Sequence, residues 1–151
     1  MNERQRPRAL LVFIDGTICD RRAESELIGT PAFYEREVIL RARPVRGSLD
    51  CLIELDEHYE IVYMGARPPS AMASTREWLS RNGFPTGDVY LALDLEGRLS
   101  IVRQIRSRYA FTAGIGDRWD DNVLHLEIGC MSIIVKEHEA DWDAVRRYLL
   151  R

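Results

Sequence analysis

The sequence predicts an α/β fold in which a central parallel sheet of about five strands lies between layers of helices. Three observations carry that expectation. Short apolar runs alternate with amphipathic stretches along the chain, the pattern of repeated strand–helix units. The first run, Ala9 to Ile14, is apolar at every position rather than at alternate ones, as suits a strand covered on both faces. Polar or glycine turns close the strand-like segments at Asp15, Gly65 to Arg67, and Asp117 to Asp121. In a doubly wound sheet such ends converge on one edge, where ligands bind.

The elements follow in order. Arg8 to Ile14 is the first strand. Pro31 to Leu40 is expected as a short helix, with Thr30 as its N-cap and Pro31 in the first turn. Ser48 opens a second helix with Leu49, Leu52, Ile53 and Leu55 as its inward stripe. Ile61 to Met64 is the second strand, and Ser70 to Asn82 a helix stopped by Gly83 and Pro85. Val89 to Leu91, Thr112 to Ile115 and Met131 to Val135 complete the five strands. Helices are expected over Ser100 to Tyr109, Trp119 to Glu127 and Asp141 to Leu150, with Trp142 and Tyr148 anchoring the last. No repeat or linker divides the chain, so one domain over 8–151 is expected behind a flexible tail, 1–7, that carries Arg4 and Arg6.

Composition excludes several classes. A length of 151 residues supports one real core, and 46% hydrophobic with 30% charged residues is ordinary for a globular protein. The formal net charge of -3 gives no reason to expect nucleic-acid binding. Cys19, Cys51 and Cys130 form no Cys-x-x-Cys pair, which argues against a disulfide framework or a zinc site and fits a reducing cytoplasm. No apolar stretch reaches membrane-spanning length, and the N-terminus lacks the apolar core of a secretory signal. His58, His125 and His138 show no metal-ligand spacing, and nothing marks Cys19 as activated.

Two segments carry most of the chemistry. Phe13-Ile14-Asp15-Gly16-Thr17 is a strand breaking into a Gly-Thr turn, and Gly116-Asp117-Arg118-Trp119-Asp120-Asp121 repeats the strand-then-carboxylate design. Carboxylates this close repel unless a cation neutralises them, which favours metal affinity. The alternative is that they are first-turn acids favouring the helix dipole. Together the two segments resemble the first and last motifs of the haloacid dehalogenase (HAD) superfamily, mostly Mg²⁺-dependent phosphohydrolases. Tyr63-Met64-Gly65-Ala66-Arg67-Pro68 more loosely resembles that family's second motif. The resemblance implies a HAD-like Rossmannoid three-layer α/β/α fold. The stretches between the motifs are too short for a cap domain, and Ile18 to Gly29, with Arg21 and Arg22, would form only a flap.

The family's first motif reads Asp-x-Asp-Gly-Thr. Its first Asp attacks phosphorus and helps to bind Mg²⁺; the second is the general acid/base. The second Asp maps to Asp15, with Gly16 and Thr17 completing the motif, while Phe13 falls on the nucleophile. A phenyl ring can neither attack phosphorus nor bind magnesium. The hydroxyl of the second motif falls on Gly65, and Arg67 keeps the motif's cation for phosphate, the alternative being that it pairs with a helix or carboxylate. No Lys stands at the third motif, the chain's only one being Lys136, so Arg98 or Arg103 is the substitute charge. The fourth motif is intact: Asp117 and Asp121, with Asp15, are the implied metal carboxylates.

The reading is therefore a capless HAD-like protein, catalytically degenerate, retaining a weakened site for Mg²⁺ and phosphate and binding a phosphorylated ligand or macromolecule. An alternative register makes Asp15 the nucleophile, with Asp117, of an active Mg²⁺-dependent phosphomonoesterase. Its substrates could be nucleic-acid ends, since Ser70 to Phe84, with Thr75, Trp78 and Leu79, is similar to the phosphatase modules of polynucleotide kinase-phosphatases. A core-facing stripe explains those same residues. A third alternative is a non-catalytic interaction domain.

Overall fold

The computed structural model describes residues 6–150; Arg4 and most of the expected tail lie outside them. The first strand, β1 (Arg8–Phe13), is the centre of a five-stranded sheet. The others are β4 (Glu60–Gly65), β5 (Val89–Leu91), β6 (Ala110–Gly116) and β7 (Met131–Ile134), in the order β5-β4-β1-β6-β7 and all parallel. The three-layer α/β/α arrangement is thus present, with no cap. Pro7 at the tail's end already joins the sheet, its carbonyl accepting from the Ala110 N–H at 2.8 Å.

Alternation along β1 sorts the two cores. Leu10, Val12 and Ile14 face a layer built by α1 (Arg36–Arg41), α2 (Ser48–Leu55), α3 (Met72–Arg81) and α6 (Trp142–Leu149). Ala9, Leu11 and Phe13 face α4 (Leu95–Ile105) and α5 (Trp119–Ile128). Each fully buried Leu, Ile or Phe in these layers stabilises the fold by about 1.5–3 kcal/mol. Trp78 is completely buried, stacks on Phe84 with centroids 5.2 Å apart, and donates from Nε1 to the Ala42 carbonyl. Thr75, Trp78 and Leu79 all face the core.

Several elements differ from expectation. The helix foreseen over Pro31 to Leu40 is a 3-10 turn (Pro31–Tyr34) followed by α1, broken where Glu35 takes an extended backbone with ψ 148°. Thr30 does not cap it; its hydroxyl donates back to the Leu27 carbonyl. The helix foreseen from Ser100 starts at Leu95, because the Asp94 side chain accepts from the Gly97 N–H and caps it there. Ile53 and Tyr148 point outward, at 49% and 54% exposure, while Trp142 anchors α6 and donates from Nε1 to the Thr17 carbonyl. A small antiparallel pair, β2 (Cys19–Asp20) with β3 (Arg43–Pro44), ties the start of the flap to the body.

Gly114 on β6 lets His125 of α5 lie directly against the sheet, since a Cβ there would sit 2.0 Å from the imidazole. The ring is buried, its Nδ1 is 2.7 Å from the Ser132 hydroxyl, and burial lowers its pKa to about 4. Because the folded chain disfavours the imidazolium, this residue stabilises the fold above pH 6.5, and that contribution is lost as the pH falls toward 4. Denaturant titrations should therefore show the stability margin of the native protein over His125→Asn shrinking by about 2 kcal/mol between pH 7 and pH 4. A margin independent of pH would refute it.

Candidate functional site

The C-terminal ends of the strands open into a cavity of about 480 Å³, covered on one side by the flap that follows β2. Its floor is Phe13, Asp15 and Gly16 after β1, with Ala66 after β4 and Arg118 after β6. Arg21, Arg22, Ser25, Ile28, Phe33 and Tyr34 of the flap form one wall, and Glu137 and His138 after β7 the other. The flap folds as two 3-10 turns (Arg22–Leu27 and Pro31–Tyr34) rather than extended chain. The His138 N–H donates to the Gly16 carbonyl at 2.8 Å, which pins the β7 end to the β1 turn.

Asp15 and Arg67 form the heart of the site. Arg67 is fully buried and donates from Nε and Nη2 to the two Asp15 oxygens at 3.0 and 2.7 Å. Its Nη1 donates to Thr75 Oγ1 at 2.8 Å, and its Nη2 lies 3.6 Å from the Cys19 sulfur. Arg21, also buried, brings Nη1 to 3.6 Å of Asp15, is held by Glu24, and lies 3.7 Å from the Phe33 ring centroid. Burial works against the Asp15 carboxylate, but Arg67, seconded by Arg21, outweighs it and keeps the carboxyl below its usual range. Burial pushes the Cys19 thiol well up, so it is no nucleophile.

The fourth-motif acids are arranged separately. Gly16 turns at φ +89° and lies so close to Asp117 that a Cβ would meet its Oδ2 at 2.4 Å. Thr17 donates to Asp117 Oδ1 at 2.9 Å, joining the two strand ends. Burial raises the Asp117 carboxyl to about 7, against the pull of Thr17 and with help from Asp121 and Glu137. Asp121 caps α5, one oxygen accepting from the Asp117 and Arg118 N–H groups at 3.0 and 3.1 Å. Burial raises it to about 6 despite those bonds. Asp120 accepts from Arg98, which also donates to the Ala92 and Leu93 carbonyls.

The structure thus brings Asp15, Gly16, Thr17, Arg67 and Asp117 together around one turn, with Phe13 beneath. Gly65 is buried in the β4–β5 pairing and does not line the cavity; its neighbour Ala66 does. Thr17, Arg67, Arg98 and Asp121 are buried beside the cavity rather than in its lining, and the half-buried Asp117 does not line it either. Arg103 lies on the outer side of α4, paired with Glu127 at 2.7 Å. The sequence points to no role for Tyr34, Glu137 or His138, marks Arg118 only as a neutraliser of the neighbouring carboxylates, and marks Arg21 only as part of a flap. The Arg21-Arg22 doublet beside a strand end was the one available signal for the flap.

The donor set can be compared with the needs of Mg²⁺, which takes six oxygens in near-octahedral geometry. Phe13 offers none, both Asp15 oxygens are bonded to Arg67, and one Asp121 oxygen caps the helix. Asp117 Oδ2 is buried without a hydrogen-bond partner, and Glu137 is the remaining acid of the cavity wall. Among the described residues no three metal-binding side chains gather into one group. These residues do not fit the three-carboxylate magnesium centre that the resemblance implies.

The fold is HAD-like. The class C acid phosphatase of Bacillus anthracis superposes with a TM-score of 0.67 at 20% identity, over 97% of this chain and 73% of that one. The Pnkp1/Rnl/Hen1 RNA repair complex contains a chain that superposes at 0.70 with 14% identity, over 93% of this chain. Only 45% of that longer chain is spanned. A HAD family enzyme of Bacteroides thetaiotaomicron, BT-2542, solved with magnesium and inorganic phosphate, superposes at 0.58 with 13% identity, over 92% of this chain and 98% of that one. At these identities the likeness is one of fold. No family model and no curated protein sequence matches the chain.

Proposed function

We propose that this chain is a HAD-like phosphohydrolase-fold protein that binds a phosphorylated ligand without the family's aspartyl-phosphate chemistry. One observation carries the reading: the cavity at the strand ends holds three arginines against two carboxylates, Asp15 and Glu137, over a phenyl ring. Arg21 is engaged by Asp15 and Glu24, and Arg22 by Asp20 and Glu139; the exposed Arg118, in no ion pair among the described residues, is the arginine that favours a phosphate group. The ring removes the attacking oxygen, and no lysine lines the cavity to offset a phosphoryl charge. Binding would draw on Arg118 at the mouth, beside Arg22, which is held by Asp20 and Glu139, with Arg67 and Arg21 below. Magnesium affinity would be weak, resting on Asp117 and Glu137, and no step is routed through the ion. A reducing cytoplasm suits the three unpaired cysteines. Among the described residues no helix is long and apolar enough to cross a membrane.

Calorimetry with inorganic phosphate, beside phosphatase assays with and without Mg²⁺, tests this reading. Phosphate should bind the native protein, Arg118→Ala should weaken it about tenfold, and no phosphomonoester should turn over. Failure of phosphate to bind would overturn the proposal.

One observation favours a second reading. Asp15 lines the cavity and is held ionised, as the nucleophile of an active Mg²⁺-dependent phosphomonoesterase would be, on nucleic-acid ends or other phosphoesters. That enzyme would show turnover abolished by both Asp15→Asn and Asp117→Ala. Against it stands Arg67, which bonds both oxygens that would attack.

A further inference from the structure

The two sides of the cavity differ in chemistry, and the difference bears on what the phosphate is attached to. On the strand-end side stand Arg118, Glu137 and His138. Arg118 is exposed and makes no ion pair among the described residues. On the flap side stand Ile28, Phe33 and Tyr34. Ile28 is 63% exposed at the junction of the two 3-10 turns, packed against neither core. Tyr34 is half-buried; the Phe33 ring meets it edge-on at 71°, with centroids 5.2 Å apart, and its hydroxyl lies 3.5 Å from the Ala66 carbonyl.

An anionic mouth group could be met by arginines alone. An uncovered isoleucine beside an aromatic wall needs another explanation. Large apolar side chains at the rim of a cavity are stabilised when a ligand removes them from water, and an aromatic ring adds directional contacts of its own. The volume, about 480 Å³, exceeds what a phosphate ion requires and falls in the range of small-molecule pockets.

We infer that the cavity takes a phosphate monoester of an aromatic alcohol, its anion at Arg118 and its ring against Tyr34 and Ile28. The inference rests on the proposed phosphate-binding reading and narrows it. The phosphate end is fixed by charge. The ester body is selected by the flap, so discrimination among phosphorylated ligands lies in Ile28 and Tyr34 rather than in the strand-end residues.

The test compares inorganic phosphate, methylphosphonate and phenylphosphonate by calorimetry on the native protein, Tyr34→Ala and Ile28→Ser. Both phosphonates carry the same anionic head and resist hydrolysis. Phenylphosphonate should bind at least about tenfold more tightly than methylphosphonate. That preference should fall below about threefold in Tyr34→Ala, with inorganic phosphate affinity unchanged. Ile28→Ser, at an exposed position, keeps the test valid if Tyr34→Ala does not fold, and it should also reduce the preference. Equal affinity for the two phosphonates would overturn the inference and leave phosphate binding standing. Absence of binding by all three ligands would overturn both.

Discussion

Arg67→Ala is expected to destabilise the protein by about 3–5 kcal/mol, the range for removing one partner of a buried ion pair. The guanidinium is fully buried and makes four contacts with three different residues: both oxygens of Asp15, the Thr75 hydroxyl and the Cys19 sulfur. Those residues come from the turn after β1, from α3 and from β2. Deleting the cation therefore loosens three elements and leaves a largely buried carboxylate with only Arg21, 3.6 Å away, to neutralise it. Asp15 would respond by taking up a proton, because the interaction that holds its carboxyl low is gone. The reciprocal variant Asp15→Asn should cost less, since the amide still accepts one hydrogen bond while Arg67 keeps Thr75. The double variant Asp15→Asn/Arg67→Ala should lose less than the sum of the two, because neither charge is then left buried without its partner. Urea midpoints of the four proteins check this. Additive losses in the double variant would show that the pair is not coupled.

This pair also explains how far the site could be read from sequence. Asp15, Gly16, Thr17, Arg67 and Asp117 were legible because each follows a strand whose apolar run is unmistakable, and parallel topology forces strand ends together. The hydroxyl–carboxylate contact between Thr17 and Asp117 needs no more than that topology. What the sequence leaves open is the choice of partner. It allows Arg67 to be either a phosphate ligand or the partner of a helix or carboxylate, and the fold places it on Asp15. Arg103, by sequence either the second candidate after Arg98 for the missing lysine or a surface charge, is the latter: it meets Glu127 on the outside of α4. The flap was opaque for another reason. Its 3-10 turns have no periodic apolar stripe, so Tyr34 carries no local signal, and nothing beyond the Arg21-Arg22 doublet marks Arg21, which lies buried against Phe33. Helix boundaries failed where a single cap decides them, as at Asp94.

Phe13→Asp is expected to lose stability on the order of 3–5 kcal/mol, the range for truncating a buried phenylalanine, and to gain no phosphatase activity. The position looks like the one missing atom set of a phosphohydrolase, so restoring it is the natural repair. Two features of the site oppose the repair. Phe13 is nearly buried and packs in the same core as Leu11, Met64, Leu99 and Leu124, so a carboxylate there loses its apolar contacts and is desolvated. The new acid would also stand two residues from Asp15 and near Asp117, which burial already raises to about 7. Like charges crowd it further toward the protonated form, which does not attack phosphorus. Asp15 meanwhile remains bonded to Arg67 through both oxygens and cannot serve the leaving group. Phe13→Leu separates packing from chemistry: it should cost below about 1.5 kcal/mol and leave phosphate binding intact. Thermal unfolding of both variants, with phosphomonoester turnover measured in Mg²⁺, gives the answer. Turnover appearing in Phe13→Asp and absent from the native protein would refute the expectation and show that one side chain alone disarms an otherwise competent site.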